Sequence, residues 1–326
     1  MNTLPARIAV VIPCFRVREQ VLDVIAAIGP EVGWIFAVDD ACPEGSGGWI
    51  EENCRDPRVQ VLRHALNQGV GGAVMTGYRA ALDTPAEVIV KIDGDGQMDP
   101  ALLPRFAAPL LAGLADYAKG NRFHRIGFVR QMPWVRLAGN AVLSFLTKLS
   151  SGYWQVADPT NGYTAIRREL AGELELERVA RRYFFESDLL YHLNALGAVV
   201  ADVPMEARYE GEPSSLRPLR VIGPFLLGHA RNTARRVLYD YFVRGFSLAS
   251  VELVLGTALW AWGAGYGALQ WVESVRSGTP ATAGTVMLAA LPIILGSQML
   301  LSWLNFDVNA EPRMPVHPRL KAREGR

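Results

Sequence analysis

The sequence predicts an α/β domain with a mostly parallel central sheet, followed by amphipathic helices and two helices that cross a membrane. Three observations predict it. Short apolar runs alternate with helical segments through the first two thirds of the chain. Carboxylates gather where those runs end. The last third holds two long stretches without charge. With 326 residues, half of them hydrophobic, the chain can bury a sizeable core, and a formal net charge of +1 gives no reason to expect a nucleic-acid surface. Cys14, Cys42 and Cys54 form no CxxC pair, so neither a disulfide framework nor a zinc site is signalled. The opening MNTLPARIAVVIP runs straight into domain-like pattern and reads as a buried first strand, with a cytoplasmic setting implied.

The elements follow in order. RIAVVIPCF (7–15) is a strand, and Val21, Leu22, Ile25 and Ile28 mark the helix after it. GWIFAVDDA (33–41) is a second strand ending in two aspartates, and SGGWIEENC opens another helix. VQVLRHALNQG (59–69) is a short strand with its loop, VGGAVMTGYRAAL (70–82) a helix rich in small residues, and AEVIVKI (86–92) the fourth strand. Alternation of this kind produces a parallel sheet covered on both faces, in which ligands collect at the carboxyl ends of the strands. Asp39, Asp40, Asp93 and Asp95 all fall at such ends.

The tail is different in kind. Residues 253–272 and 285–306 contain no charged side chain, and a 22-residue helix spans about 33 Å, enough for a hydrocarbon core. Trp260, Trp262, Trp271 and Trp303 partly mark interfacial positions, and Gly256, Gly263, Gly265 and Gly267 allow close helix contacts. Arginines precede the first span and basic residues follow the second, while the loop between carries one arginine. Both termini are therefore expected in the cytoplasm, as in a multi-pass protein of the inner membrane. Glu252 is expected near the headgroups or paired with an arginine. Residues 219–246 mix bulky apolar and basic positions and read as amphipathic helices on the inner face. The boundaries drawn are 1–216 catalytic, 217–246 interfacial, 247–309 membrane-spanning and 310–326 a basic tail.

The chemistry is carried by DGDGQMDP (93–100). Neither GxGxxG after the first strand nor GxxxxGK[ST] is present, so a dinucleotide site or a P-loop has little support. Carboxylates cannot face a diphosphate directly without repulsion. A bridging Mg²⁺ or Mn²⁺ held by Asp93 and Asp95 resolves this, since both ions prefer oxygen ligands.

Together, VVIPCF, VDDA, LNQGVGGAVMTGY, VKIDGDGQMDP and DPTNGYTAIRR resemble the family 2 glycosyltransferases of GT-A fold, and within them the polyprenyl-phosphate glycosyltransferases with two C-terminal membrane helices. The resemblance implies that Pro13 lies beside the nucleotide, and that Asp39 or Asp40 meets base or ribose. Asn67 and Gly69 match the N-x-G loop, with Gly72 leaving room beside the nucleotide. Asp93 and Asp95 match the metal pair and Gln97 the polar residue after it. Asp158 matches the acidic position on the acceptor side. The processive QxxRW signature is absent. FFESDLLYHLNALG (184–197) stands in its place and argues for transfer of one sugar, with Glu186 and Asp188 as candidates or as ordinary helix surface. A lipid phosphate needs cations, and Arg122, Arg125, Arg136 and Arg208 are available; Arg217 follows a Ser-Ser-Leu run where the family often has Ser-Lys. His64 and His124 are expected as loop or packing residues.

The implied reaction is attack by a polyprenyl phosphate, undecaprenyl phosphate in a bacterial host, on a nucleotide sugar, with a UDP-sugar favoured and inversion at the anomeric carbon. Asp158 orients or weakly assists. A glycan or protein acceptor would favour a QxxRW-like signature or a longer membrane tunnel, a scaffold would tolerate loss of Asp93 and Asp95, and a hydrolase would need no lipid acceptor. A homo-oligomer is compatible with the sequence, which says nothing further on subunit number.

Overall fold

The computed structural model of the chain describes residues 7–124, 134–206 and 218–324. β1 (Ile8–Cys14) is central because its apolar run is buried on both faces, as a strand covered on two sides requires. It pairs in parallel with β2 (Val32–Asp39) and β4 (Val88–Lys91), and β3 (Val59–Arg63) extends the parallel side beyond β2. Beyond β4 the direction changes: β6 (Thr164–Arg167) runs antiparallel to β4 and to β5 (Tyr117–Asn121), and β7 (Val200–Pro204) is parallel to β5. The order is β3-β2-β1-β4-β6-β5-β7. The mostly parallel sheet is as expected; the antiparallel β6 departs from the simple alternation of strands and helices.

The helices in chain order are α1 (Val21–Ala26), α2 (Ser46–Asn53), α3 (Val70–Leu82), α4 (Leu103–Leu111), α5 (Trp134–Ser151), α6 (Arg168–Glu173), α7 (Phe185–Leu196), α8 (Pro218–Leu238), α9 (Leu248–Ser277), α10 (Ala283–Asn309) and α11 (His317–Glu324). Side-chain alternation along β1 divides the core. Ile8, Val10 and Ile12 pack with Val21, Ile25, Phe106 and Leu110 of α1 and α4. Ala9 and Val11 pack with Val74, Tyr78, Leu189 and Leu193 of α3 and α7. The small residues of α3 have a steric cause: a Cβ at Gly77 would lie 2.2 Å from Val11 Cγ1, so only glycine lets this helix lie so close to β1.

The chain forms two compact units, Met1–Thr233 with Pro312–Arg326, and Ala234–Glu311. The first unit therefore takes in more than residues 1–216. His229 and Asn232 of α8 are buried in it rather than lying on a lipid surface. His229 bonds Ser150 at 2.8 Å, and Phe184 and Phe225 pack edge-on to its ring; burial pulls its pKa down to about 4. The tail is likewise part of this unit. The carboxylate of Asp116, fully buried, accepts from the backbone N–H groups of Val316 and His317 and meets the His317 ring at 2.7 Å. Lys321 reaches Glu169 at 3.1 Å.

The second unit holds α9 and α10, both long and apolar enough to cross a membrane. Their apolar side chains are largely uncovered: Trp271 is 75% exposed and Leu301 66%, which a soluble core helix would not tolerate. A Cβ at Gly263 would come within 2.6 Å of Ala289 O, and one at Gly296 within 2.7 Å of Gly256 O, so these glycines are where the two backbones touch. A Cβ at Gly265 would meet nothing. Glu252 accepts from Ser302 at 2.8 Å. Arg236 grips Asp307 at both oxygens, 2.7 and 2.9 Å, and Tyr241 donates to the same carboxylate.

Candidate active site

The carboxyl ends of β1, β2 and β4 lie side by side, and their loops build one pocket of about 460 Å³ lined by Pro13, Phe15, Asp40, Asn67, Asp93 and Asp95 among others. Sequence-predicted residues over 80 positions apart are thus brought together.

The two aspartates after β2 shape the pocket from within. Asp39 accepts the N–H groups of Cys42 and Gly47 at 2.7 and 2.8 Å, fixing the start of α2. Asp40 accepts the N–H groups of Gln68 and Gly69 at 2.7 Å each, one at each oxygen, and the His64 ring at 2.7 Å. Asn67 donates back to the Asp40 carbonyl at 3.1 Å. His64 also meets Thr76 at 2.9 Å and is a packing residue, as expected. Both carboxylates, buried at 6% and 2% exposure, hold backbone. Gly69, at φ +87°, completes the turn into α3.

The turn after β4 carries the other pair. Asp93 is half-buried, and its Oδ1 is met at 2.6 Å by Lys91, a strand lysine only 1% exposed. Asp95 accepts the N–H of Gln97 at 3.0 Å, and Gln97 itself is exposed. Gly96 at φ +78° lets the chain double back, Asp99 caps the following turn, and Tyr163 donates to Asp99 O at 3.1 Å. Two carboxylates on one turn suit a hard divalent cation that takes its other oxygens from phosphate and water. Among the described residues no cluster of three His, Cys, Asp or Glu side chains could hold a metal ion without such help.

Asp158 stands in a second, adjoining cluster. Fully buried, it accepts from Arg122 Nε at 2.6 Å and Nη2 at 3.0 Å, with Thr160 and Asn161 contributing longer bonds. Asn161 O accepts from Lys119 Nζ at 2.6 Å. A Cβ at Gly162 would sit 2.7 Å from Lys91 Nζ and 3.1 Å from Asp93 Oδ2, so the 158–162 loop runs from the Arg122 pair to the metal-type pair. Thr164 lies between Lys91 and Lys119 in register, which aligns the two lysines beneath the site. Burial pulls Lys119 down to about 8. Burial pushes the half-buried Glu186 up, against the pull of both lysines. Asp188, fully within the unit, bonds Ala180 N–H and Asn232 at 2.7 Å each, so it braces structure behind the pocket.

Arg125, Arg208 and Arg217 lie outside the described residues, and Arg136 is placed only as part of α5. Sequence reasoning passed over Lys91, Lys119, Arg182 and Tyr183. A lysine at the inward end of an apolar strand, as in VIVKI, is the one signal that could have flagged Lys91.

This sheet order, with a DxD turn after β4, defines a GT-A-type nucleotide-sugar fold. The profile of glycosyl transferase family 2 matches residues 9–174, and the chain belongs to that family. It is 33% identical over 205 residues to polyprenol monophosphomannose synthase of Mycolicibacterium smegmatis, covering 61% of this chain and 76% of that one. It is 30% identical to undecaprenyl-phosphate mannosyltransferase of Micrococcus luteus, over 52% of this chain and 70% of that one. Glucosyl-3-phosphoglycerate synthase from Mycobacterium tuberculosis, solved with UDP, shares the fold at TM-score 0.52 and 21% identity, over 71% of this chain and 80% of that one.

Proposed function

We propose that this protein transfers a single hexosyl residue from a nucleotide sugar, a UDP-sugar first among candidates, to the phosphate of a polyprenyl phosphate, with inversion. The observation that carries this reading is one chain holding both a DxD pocket and a pair of membrane-length helices. Relatives named for polyprenol and undecaprenyl phosphate support the lipid acceptor.

In this mechanism Asp93 and Asp95 would hold Mg²⁺ or Mn²⁺, which when bound would offset negative charge on the diphosphate. Lys91 fixes one oxygen of Asp93, leaving the other for coordination. Pro13, Asn67 and Gly69 shape the nucleoside end, with Asp39 and Asp40 setting the loops there and Gln97 beside the sugar. Arg122, steadied by Asp158, presents cationic donors to the acceptor phosphate, joined by Arg125, Arg136, Arg208 and Arg217. A lipid phosphate is anionic at neutral pH and attacks the anomeric carbon without a strong protein base, so Asp158 serves orientation. The protein sits in the inner membrane with the catalytic unit and both termini in the cytoplasm.

The test is transfer from radiolabelled UDP- and GDP-sugars to polyprenyl phosphate in detergent with Mg²⁺ or Mn²⁺. A mild-acid-labile glycolipid from one donor is expected. Donor turnover only onto a glycan or protein would replace the lipid acceptor.

A further inference from the structure

The donor pocket has a wall that the residues assigned so far do not explain. Arg182 and Tyr183, in the loop before α7, line the same cavity as Asp40, Asp93 and Asp95. Both side chains are exposed, and neither makes a hydrogen bond or ion pair among the described residues.

The backbone beneath them is firmly seated. Gly72 N–H donates to Arg181 O at 3.1 Å, and Asp188 accepts the Ala180 N–H at 2.7 Å from the other side. A Cβ at Gly71 would lie 2.3 Å from Ala180 O, and one at Gly69 would lie 2.6 Å from Arg181 O and 3.0 Å from Arg182 Cγ. Two glycines of the nucleotide-side loop and helix thus admit this segment at contact distance. Asn232 of α8 holds Asp188 in turn at 2.7 Å. A cation on an anchored backbone, with its head group left unpaired over a cavity, is arranged to meet a ligand.

Charge decides which ligand. Three carboxylates line the cavity, and Arg182 is the cationic side chain lining it among the described residues. Backbone N–H groups and His64 already answer Asp40, and Lys91 answers Asp93. Asp93 and Asp95 already match the charge of one divalent cation, so the two negative charges of a nucleotide-sugar diphosphate call for further protein donors. A guanidinium matches phosphate oxygens with two parallel, charge-assisted bonds.

We propose that Arg182 is a donor-binding residue that contacts the phosphates of the nucleotide. This rests on the donor-site reading above and adds a contact that reading lacks. The experiment uses the full chain in detergent with Mn²⁺, measuring affinity for UDP and GDP by calorimetry and for uridine and guanosine by saturation-transfer NMR. If the wild type binds neither diphosphate, the donor-site reading itself falls. If it binds one, Arg182→Ala should weaken that diphosphate by about tenfold to a hundredfold while the nucleoside is unaffected. Arg182→Lys should recover part of the loss, and KM for the sugar donor should rise more than kcat falls. Arg178→Ala, which removes an exposed arginine paired with Glu175, should change neither affinity. Unchanged diphosphate affinity in a folded Arg182→Ala protein overturns the proposal, and so does an equal loss for the nucleoside, which would put the arginine at the base.

Discussion

Arg122 closes on Asp158 with two parallel bonds, Nε to Oδ2 at 2.6 Å and Nη2 to Oδ1 at 3.0 Å, and the carboxylate is fully buried while the arginine keeps a quarter of its side chain in solvent. The geometry makes the aspartate the buried support and the arginine the solvent-facing partner. Removing Arg122 strands a buried charge, a loss of about 3 kcal/mol where no other donor replaces it. Arg122→Met should therefore lower the melting temperature by several degrees as well as transfer. Asp158→Asn keeps the shape but loses the charge that steadies the guanidinium, so on the acceptor proposed above it should raise KM for the lipid phosphate with a smaller effect on stability. Equal KM in Asp158→Asn and wild type would remove Asp158 from acceptor binding.

The Lys91–Asp93 contact leads to a metal-binding prediction. A partner that orients a ligand typically contributes about tenfold to a hundredfold in metal affinity. Lys91→Met should weaken Mn²⁺ binding on that scale, read by electron paramagnetic resonance in the presence of nucleoside diphosphate, and Asp95→Asn at least as much. Chelation with EDTA should abolish transfer, and Mg²⁺ or Mn²⁺ should restore it.

Lys119 makes stability depend on alkaline pH. Its folded pKa is lowered by burial to about 8, below its ordinary value of 10.5. Below pH 8 both states carry the proton, and the cost of burying the charge is felt in full. Above pH 8 the unfolded chain binds the proton and the folded chain releases it, so this residue adds stability as pH rises. From pH 8 to 9.5 the gain is about 2 kcal/mol relative to Lys119→Met. The gain levels off above pH 10.5, while Tyr78 and Tyr117, held protonated by burial, lower the stability of both proteins alike. Parallel melting curves for the two proteins would contradict the assignment.

Gly69 tests the fit between the nucleotide loop and the segment before α7. An alanine there must accept φ +87° and a Cβ 2.6 Å from a carbonyl oxygen. Strain of about 1–3 kcal/mol is expected. Gly69→Ala should lose both thermal stability and nucleotide affinity, whereas Gly45→Ala, with nothing within 4 Å of its Cβ, should show backbone strain alone and keep its affinity.

The legibility of the sequence followed the range of the forces involved. The parallel half of the sheet, α3 over Val70–Leu82 and the two apolar spans were readable because their signals are local: apolar runs, small-residue spacing and absence of charge. The antiparallel β6 was not, because TAIR is four residues whose direction is set only by its neighbours. That Asp93 and Asp95 share one turn at a strand end was legible, while the roles of Asp39 and Asp40 as backbone anchors depend on loops some distance along the chain. Arg182 gave no signal at all, since an arginine in ARRYFF reads as surface until the fold carries it to the pocket.

The bond between Asp116 and His317 sets an order of events in the making of the protein. Its two ends are 201 residues apart, and everything between them must be synthesised before the buried carboxylate meets its partners. At ribosomal speeds of about 5–20 residues per second, that delay is on the order of 10–40 s. Throughout it the catalytic sheet lacks its last fastening, while both apolar helices emerge and become available for insertion. The chain is thus timed so that its enzyme half is completed only after its membrane half exists.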